Sequence, residues 1–573
     1  MANNAKGSGA KLFFAEEDTF GKPDWTYGAA EWSVGADAQK GQNTVVLNVT
    51  GTGLSKDDYV AFYTGDFDGV VQLAKLDADA VDADGQATLT LVDNLTFKLR
   101  QGDHARKVDN FKVSRIRSVR GMVTAGLALE LGEIANEALR ASAGQRVRGA
   151  SRPGSIAGDG GSIVVQPGTQ GFAQLLRHAV GSAVYYNNVQ GVPVSNPATT
   201  TVRTASEADA SSLPVADESG FAAGDIVRVG PNSDGNYDYV AVSALVATSG
   251  SEALTLETTL AFDHAAGEAV VEVTGTQVDQ TGGYEAGATE VKVDSKTGFA
   301  VGDKIRIGNG DTAELVTITS TATSMGLTFS NHPLRNSHGD GSVVLKVEDG
   351  VIIHELRKGN LPEGMTVYQY HPEVGLCYVI TGVKVSSMAV AGDNTDATIK
   401  ATFSTSSKAV VLLSSLPFDD SGIVQDHTPY TNLEIALFRK GSRLIGINSA
   451  TMNLDNELET NREMGSPVAS AIEAGTGTVT CDYSYQFNTP DRFKEIVEGI
   501  SADYGVRILW DDKDARGEGL EFQFPQSVVT GNAVAAIDSP NTLNPDASLR
   551  TGVHPVKKVD FICFVRSQDG PLN

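Results

Sequence analysis

The sequence has 573 residues, with 71 acidic against 45 basic side chains and a formal net charge of −26. That charge excludes nucleic acid and anionic membrane as held partners, since both are polyanions. The length excludes a single core: at roughly 100–200 residues per domain it predicts three to five.

With 61 glycines and short alternating stretches in place of long helical periodicity, the composition predicts a mainly β protein. Residues 1–9 lack the apolar segment of a secretion signal, and no apolar run approaches the ~20 residues that cross a bilayer. The expectation is a protein made in soluble form. Cys377, Cys481 and Cys563 are odd in number, far apart and set among apolar strand residues. They are expected to be buried free thiols.

In chain order, 1–40 is predicted to hold an opening strand and arm, and 41–108 a first small β module. The modules at 201–273 and 274–347 repeat one another: Gly220, Phe221, Gly224 and Asp225 recur as Gly298, Phe299, Gly302 and Asp303. Each repeat ends on the same spaced set, Leu260, His264, Gly267 and Val270 against Leu334, His338, Gly341 and Val344. Residues 53–62, with Leu91 and Gly102, form a fainter third copy. In each, a Gly-Asp or Asp-Asp turn feeds an alternating strand, the pattern of a short antiparallel barrel or sandwich. His264 and His338 have no second ligand at metal spacing and read as turn-stabilising residues. The acids from Asp77 to Asp84 lack calcium-loop spacing and read as turns.

The segments 109–200, 348–414 and 415–573 hold a second duplication. Residues 125–139 align without a gap on 450–464, which places Leu127 on Met452, Leu129 on Leu454 and Asn136 on Asn461. Strict alternation puts Leu127, Leu129, Met452 and Leu454 on a dry face, and Ala128, Glu130, Asn453 and Asp455 on a wet one. About 40 residues beyond each strand lies an amphipathic helix. In one, Phe172, Leu175, Leu176 and Ala179 keep helical spacing before Gly181; in the other, Phe493, Ile496, Val497 and Ile500 do so after Pro490. A hairpin is predicted around Gly392, and alternating strands at 477–487, 505–511, 520–525 and 556–565. Between strand and helix of the first half, Arg140, Arg146, Arg148 and Arg152 make the one locally basic loop. They could meet nucleic acid, but they read better as contacts to acidic surfaces of a neighbouring subunit.

No metalloprotease, nucleophile-elbow, P-loop or dinucleotide motif occurs, so no catalytic residue, cofactor or metal is expected. Two classes remain, a structural assembly protein and a surface-binding protein of β modules such as an adhesin or glycan binder. The opening strand with Ala15, Glu16, Glu17 and Asp18, the helix ending in Gly181, the run Tyr378 to Met388, the run Ile447 to Leu458, the strand Thr478 to Phe487, the helix at Pro490 and Phe522 to Pro525 occur in one order. Together they resemble the tail tube proteins of long-tailed bacteriophages over about 350 residues, the three modules left out.

The resemblance implies duplicated tail-tube β-sandwich or barrel units, each with a flanking helix, whose hairpins join those of neighbours around a DNA-conducting lumen. It implies a virion protein made in the host cytoplasm. Its partners would be copies of itself, as a trimeric pseudo-hexameric ring or a hexamer, the tape measure protein, and the tail terminator and baseplate proteins. DNA would pass without specific binding, and no membrane is involved. Ala128, Glu130, Asn453 and Asp455 would then face the lumen, while Leu127, Leu129, Met452 and Leu454 pack inward. An anionic wall without stacking aromatics would let DNA slide.

Overall fold

A computed structural model describes residues 10–63, 70–95, 98–120, 122–126, 130–134, 152–157, 161–168, 171–329, 333–348, 352–393, 398–423, 428–431, 435–439, 442–462, 468–485, 501–509, 519–531, 546–555, 558–567 and 572. The protein is mainly β, with 52% of residues in strands and one described α-helix. It divides into two compact units. The first comprises 1–182, 358–508 and 523–561; the second comprises 183–357, 509–522 and 562–573.

The first unit is built from strands β1 (Lys11–Glu16), β2 (Met122–Gly126) and β3 (Gly161–Val165), helix α1 (Phe172–Val180), and strands β4 (Met365–His371), β5 (Leu376–Asp393) and β6 (Lys400–Ser406). Six more follow: β7 (Ile435–Arg439), β8 (Ile447–Asp455), β9 (Thr478–Tyr485), β10 (Ser501–Leu509), β11 (Gly519–Gly531) and β12 (Asp546–Thr551), of which Leu509 and Gly519–Phe522 are counted with the second unit. Hydrogen bonding runs β1–β4–β5–β6–β3–β2 in the first six and β7–β10–β11–β12–β9–β8 in the second. The two paths visit their strands in the same rank order. They meet where β5 pairs antiparallel with β8.

The registers agree as well. Gly126 faces Ser162 as Thr451 faces Asp482, which is the ungapped alignment read from the sequence. Ser162 faces Ser404, which faces Ser387; Asp482 faces Ser548, which faces Thr530. The helix expected at 489–500 lies outside the described residues, as do Asn136 and the turn beyond Asp393.

β5 is 18 residues long and serves two ladders. Its first half pairs with β4 and Ala409–Leu413, its second with β6 and β8. Gly382, at φ +63°, sits between them. The buried Glu17 carboxylate accepts the Gly382 amide at 3.0 Å, the Thr366 hydroxyl at 2.7 Å and the Gly21 amide at 2.6 Å, which fixes this corner. Helix α1 forms where predicted, between Gly171 and Gly181. It covers the dry side of the sheet: Phe172 packs on Phe403 at 5.9 Å between ring centroids, and the Arg177 guanidinium meets Glu16 at 2.7 Å.

The three modules share one topology, although the acidic turns between them differ. In the second, Thr199–Thr201, Ala269–Val273, Ile226–Val229 and Asp238–Val246 lie side by side, and Ser212–Pro214 pairs with Ala253–Leu256. In the third the equivalents are Gly275–Gln277, Val343–Lys346, Lys304–Ile307 and Glu314–Thr317, with Glu290–Lys292 against Gly326–Thr328. The first repeats the order with Thr26–Ser33, His104–Asn110, Tyr59–Tyr63 and Val70–Lys75, and Thr44–Leu47 against Gln86–Thr90. Its edge strand therefore starts at Thr26, upstream of the boundary expected at 41. Of the acidic stretch, Asp84 with Gly85 forms a turn, while Asp82 lies in the strand Val81–Ala83; Asp79 accepts the Lys56 amide at 2.7 Å and Asp82 the Gly51 amide at 2.9 Å.

Each module has its own apolar core. The second face of each sheet is buried too. In the first module Ala61, Leu73 and Val108 pack on Cys377, Val379, Val411 and Leu413 of the first unit. In the second unit Ile226, Tyr239 and Val273 meet Leu315, Val343 and Leu345 of the third module.

Candidate assembly seam and module latches

Among the described strands of the path, β5 and β8 join the two halves as antiparallel neighbours. Met388 faces Leu454 and Val390 faces Met452, and all four are at most 2% exposed. Burying each of these side chains contributes about 2 kcal/mol. The alternate positions pair Ser387 with Asp455, Ala389 with Asn453, Ala391 with Thr451 and Asp393 with Ser449. Met452 and Leu454 thus lie inside; Asn453 is half-buried and Asp455 exposed on the other face. One buried amide ties the seam to the helix: Asn456 donates to the Ala179 carbonyl at 2.9 Å and the Val385 carbonyl at 3.0 Å.

The wet face continues from strand to strand. Thr478, Thr480, Asp482 and Ser484 follow across β9, then Asp546, Ser548 and Arg550 on β12. On the other side come Lys400, Thr402 and Ser404, then Ser162. Asp393, Asp455, Asp482 and Asp546 outnumber Lys400 and Arg550, and no aromatic side chain occurs among these described positions. Asn453 donates to Asp482 at 3.0 Å, and the Ser449 and Ser484 hydroxyls are 2.8 Å apart. Alternation along 478–485 marked Asp482 as wet; only the cross-strand register places it beside Asn453 and Ser548.

Of the other sequence-read residues, Glu130 opens the strand Glu130–Ile134, where its backbone pairs with Ala157. Arg152 opens the partner strand Arg152–Ala157, opposite Ile134. Leu127, Ala128, Leu129, Arg140, Arg146 and Arg148 lie outside the described residues.

His264 and His338 are buried anchors of their modules. His264 Nε2 is 2.9 Å from Asp238 and Nδ1 2.6 Å from Glu268. Burial alone would lower its pKa; the hydrogen bonds and charges of the two carboxylates outweigh this and hold it above the ordinary value. Asp238 also accepts the Ala261 and Phe262 amides at 2.9 and 3.0 Å and the Asn309 amide group of the third module at 2.6 Å. The third module repeats the device: Glu314 accepts the Arg335 and Asn336 amides at 2.8 and 3.2 Å and holds His338 Nε2 at 2.6 Å. The register of the first module puts Gln72 and Leu99 at these places, so the latch is absent from that copy. Asp238 and Glu314 escaped sequence reading because they lie 26 and 24 residues upstream of their histidines, whereas Glu268 is only four residues past His264.

Arg306, fully buried, lies over the Tyr239 ring at 4.7 Å and donates to the Tyr186 carbonyl at 3.2 Å. Burial pulls its pKa down to about 10. The three cysteines are buried and unbridged. Burial pushes the Cys377 thiol up to about 12 and raises the other two as well. Among the described residues there is no group of three or more metal-ligating side chains, and no helix is long and apolar enough to cross a membrane. Neither a family model nor a curated protein matches the sequence.

Proposed function

We propose that this protein is the subunit of a phage tail tube, which assembles into stacked rings around a channel that conducts DNA. The observation that carries this reading is the repeated strand path joined at the β5–β8 seam. A chain whose second half sits on its first by strand pairing already contains one step of a head-to-tail assembly, and heterologous steps of this kind close into rings when the rotation allows. Closure also removes the sheet edges that would otherwise remain open to aggregation.

Two halves per chain make three chains the natural ring, with six near-equivalent steps. The face rich in hydroxyl and acidic groups suits a wall past which DNA slides, because it offers neither a dense cationic surface nor aromatic platforms. The modules interrupt only the first half, between β1 and β2 and between α1 and β4, so a trimeric ring would carry three sets of decorations. A tape measure protein, a tail terminator and a baseplate are the partners such a tube requires.

Negative-stain electron microscopy of the concentrated protein tests the reading. Hollow rings or tubes with three-fold end-on symmetry are expected. A protein that stays monomeric at every concentration, alone or with a tape measure protein, and that binds a glycan through its modules would overturn it.

A further inference from the structure

We infer that the cleft between the second and third modules is a binding site for a neutral saccharide, with the Asp209 carboxylate as its main acceptor. Both modules belong to the second compact unit, so the inference stands apart from the ring reading. The cleft has a volume of about 300 Å³. Small-molecule sites start at about this size and favour the junctions between domains. Leu260 of the second module and Val343 of the third, 1% and 2% exposed, give it an apolar lining. Asp209, Thr258 and Thr259 of the second module and Ser342 of the third make it polar elsewhere.

The turn that carries Asp209 occurs in all three modules. The Asp209 amide donates to the Leu260 carbonyl at 2.8 Å, and the Leu260 amide donates to the Ala210 carbonyl at 3.0 Å. Gly287, Leu334 and Ala288 repeat this pair at 2.7 and 2.8 Å, and Gly41, Leu95 and Gln42 at 2.8 and 2.7 Å. The first residue is left-handed each time, with φ +67° at Asp209, +95° at Gly287 and +89° at Gly41. That conformation favours glycine. A Cβ at Gly41 or Gly287 would meet nothing within 4 Å, so the turn itself asks for no side chain. Only the copy that lines the cleft keeps a carboxylate there.

Among the described residues, the Asp209 carboxylate and the hydroxyls of Thr258, Thr259 and Ser342 have no hydrogen-bond partner. Asn309, which also lines the cleft, is fully engaged: it donates to Asp238 at 2.6 Å and accepts the Tyr239 amide at 3.1 Å. Next to it a Cβ on Gly310 would lie 2.8 Å from Ala261 Cβ. The two modules are therefore held together before a ligand arrives, which spares the ligand the cost of ordering them.

These groups select the ligand. A carboxylate with no cation in the lining repels phosphate and other anions, and one carboxylate is too few for a calcium cage. A wholly apolar ligand would leave the polar groups buried and unpaired. A sugar satisfies all of them: its hydroxyls donate to Asp209 in charge-assisted hydrogen bonds and pair with the threonines and Ser342, while its C–H face covers Leu260 and Val343.

Saturation-transfer NMR of the full-length protein with glucose, galactose, mannose, rhamnose and N-acetylglucosamine tests this. Transfer to at least one sugar is expected, with a Kd on the order of 1 mM. Asp209→Gly, which restores the residue of the two equivalent turns and so keeps the fold, should weaken binding about tenfold; Ser342→Ala should weaken it about threefold. Transfer to none of the five sugars, unchanged binding by Asp209→Gly, or displacement of the sugar by inorganic phosphate would overturn the site while leaving the ring reading standing. Sugar binding of the expected kind by a chain that forms no rings would uphold the site alone.

Discussion

Replacing Asp238 by Ala tests the module latch most directly. Asp238 is 0% exposed and receives four donors: the amides of Ala261 and Phe262, the Asn309 side chain and His264 Nε2. Removing it leaves the buried His264 ring with Glu268 alone and strands two backbone N–H groups. Breaking a buried pair from one side costs about 3–5 kcal/mol, and each orphaned buried donor ~1–3 kcal/mol. These terms overlap, so a loss of about 4 kcal/mol is expected. Against a typical domain stability of ~5–15 kcal/mol and a shift of ~4–8 °C per kcal/mol in a small domain, the second module should melt roughly 20 °C lower. Calorimetry would read the melting shift, and hydrogen exchange of the Val240 and Val242 amides would localise it. Asp238→Asn, which keeps an acceptor, should lose less. A loss under ~1 kcal/mol for Asp238→Ala would refute the reasoning.

Two of the buried histidines, His264 and His178, should give opposite pH responses. His264 has a raised pKa, so its contribution is complete below the unfolded value of ~6.5 and disappears as pH rises through the folded one. His178 in α1 is held well below the ordinary range, first by burial and then by Arg177; its helix should lose stability as pH falls below ~6.5, readable by residue-resolved hydrogen exchange. Leu454→Ala, at a position 1% exposed, should cost about 2–5 kcal/mol in denaturant unfolding, whereas Asp455→Lys should stay within ~0.5 kcal/mol. Gly382→Ala would place a Cβ 2.7 Å from Lys408 Cβ at φ +63°, and a loss of ~1–3 kcal/mol is expected in the same assay. Glu130→Lys with Asp455→Lys should permit tube formation yet slow DNA ejection; normal ejection would remove the lumen assignment.

Local chemistry alone determined several features. Alternation from Ala450 to Asp455 sorts the two faces of β8, because successive side chains on a strand point in opposite directions. The apolar spacing of Phe172, Leu175, Leu176 and Ala179 places α1, and Gly181 ends it. The repeated Gly-Asp turns reveal two modules plainly and a third faintly, since a turn needs particular residue types wherever it occurs. The tertiary structure alone decided which strands are neighbours. Nothing near Ser387 names Asp455 as its partner, and nothing near His264 names Asp238. The edge strand of the first module comes from Thr26–Ser33, on the far side of the boundary expected at 41. Such pairings join residues dozens or hundreds of positions apart, and a two-residue period leaves every even register shift equally acceptable to a single strand. Only the simultaneous fit of all the ladders selects one, and from it come both the seam and the latches.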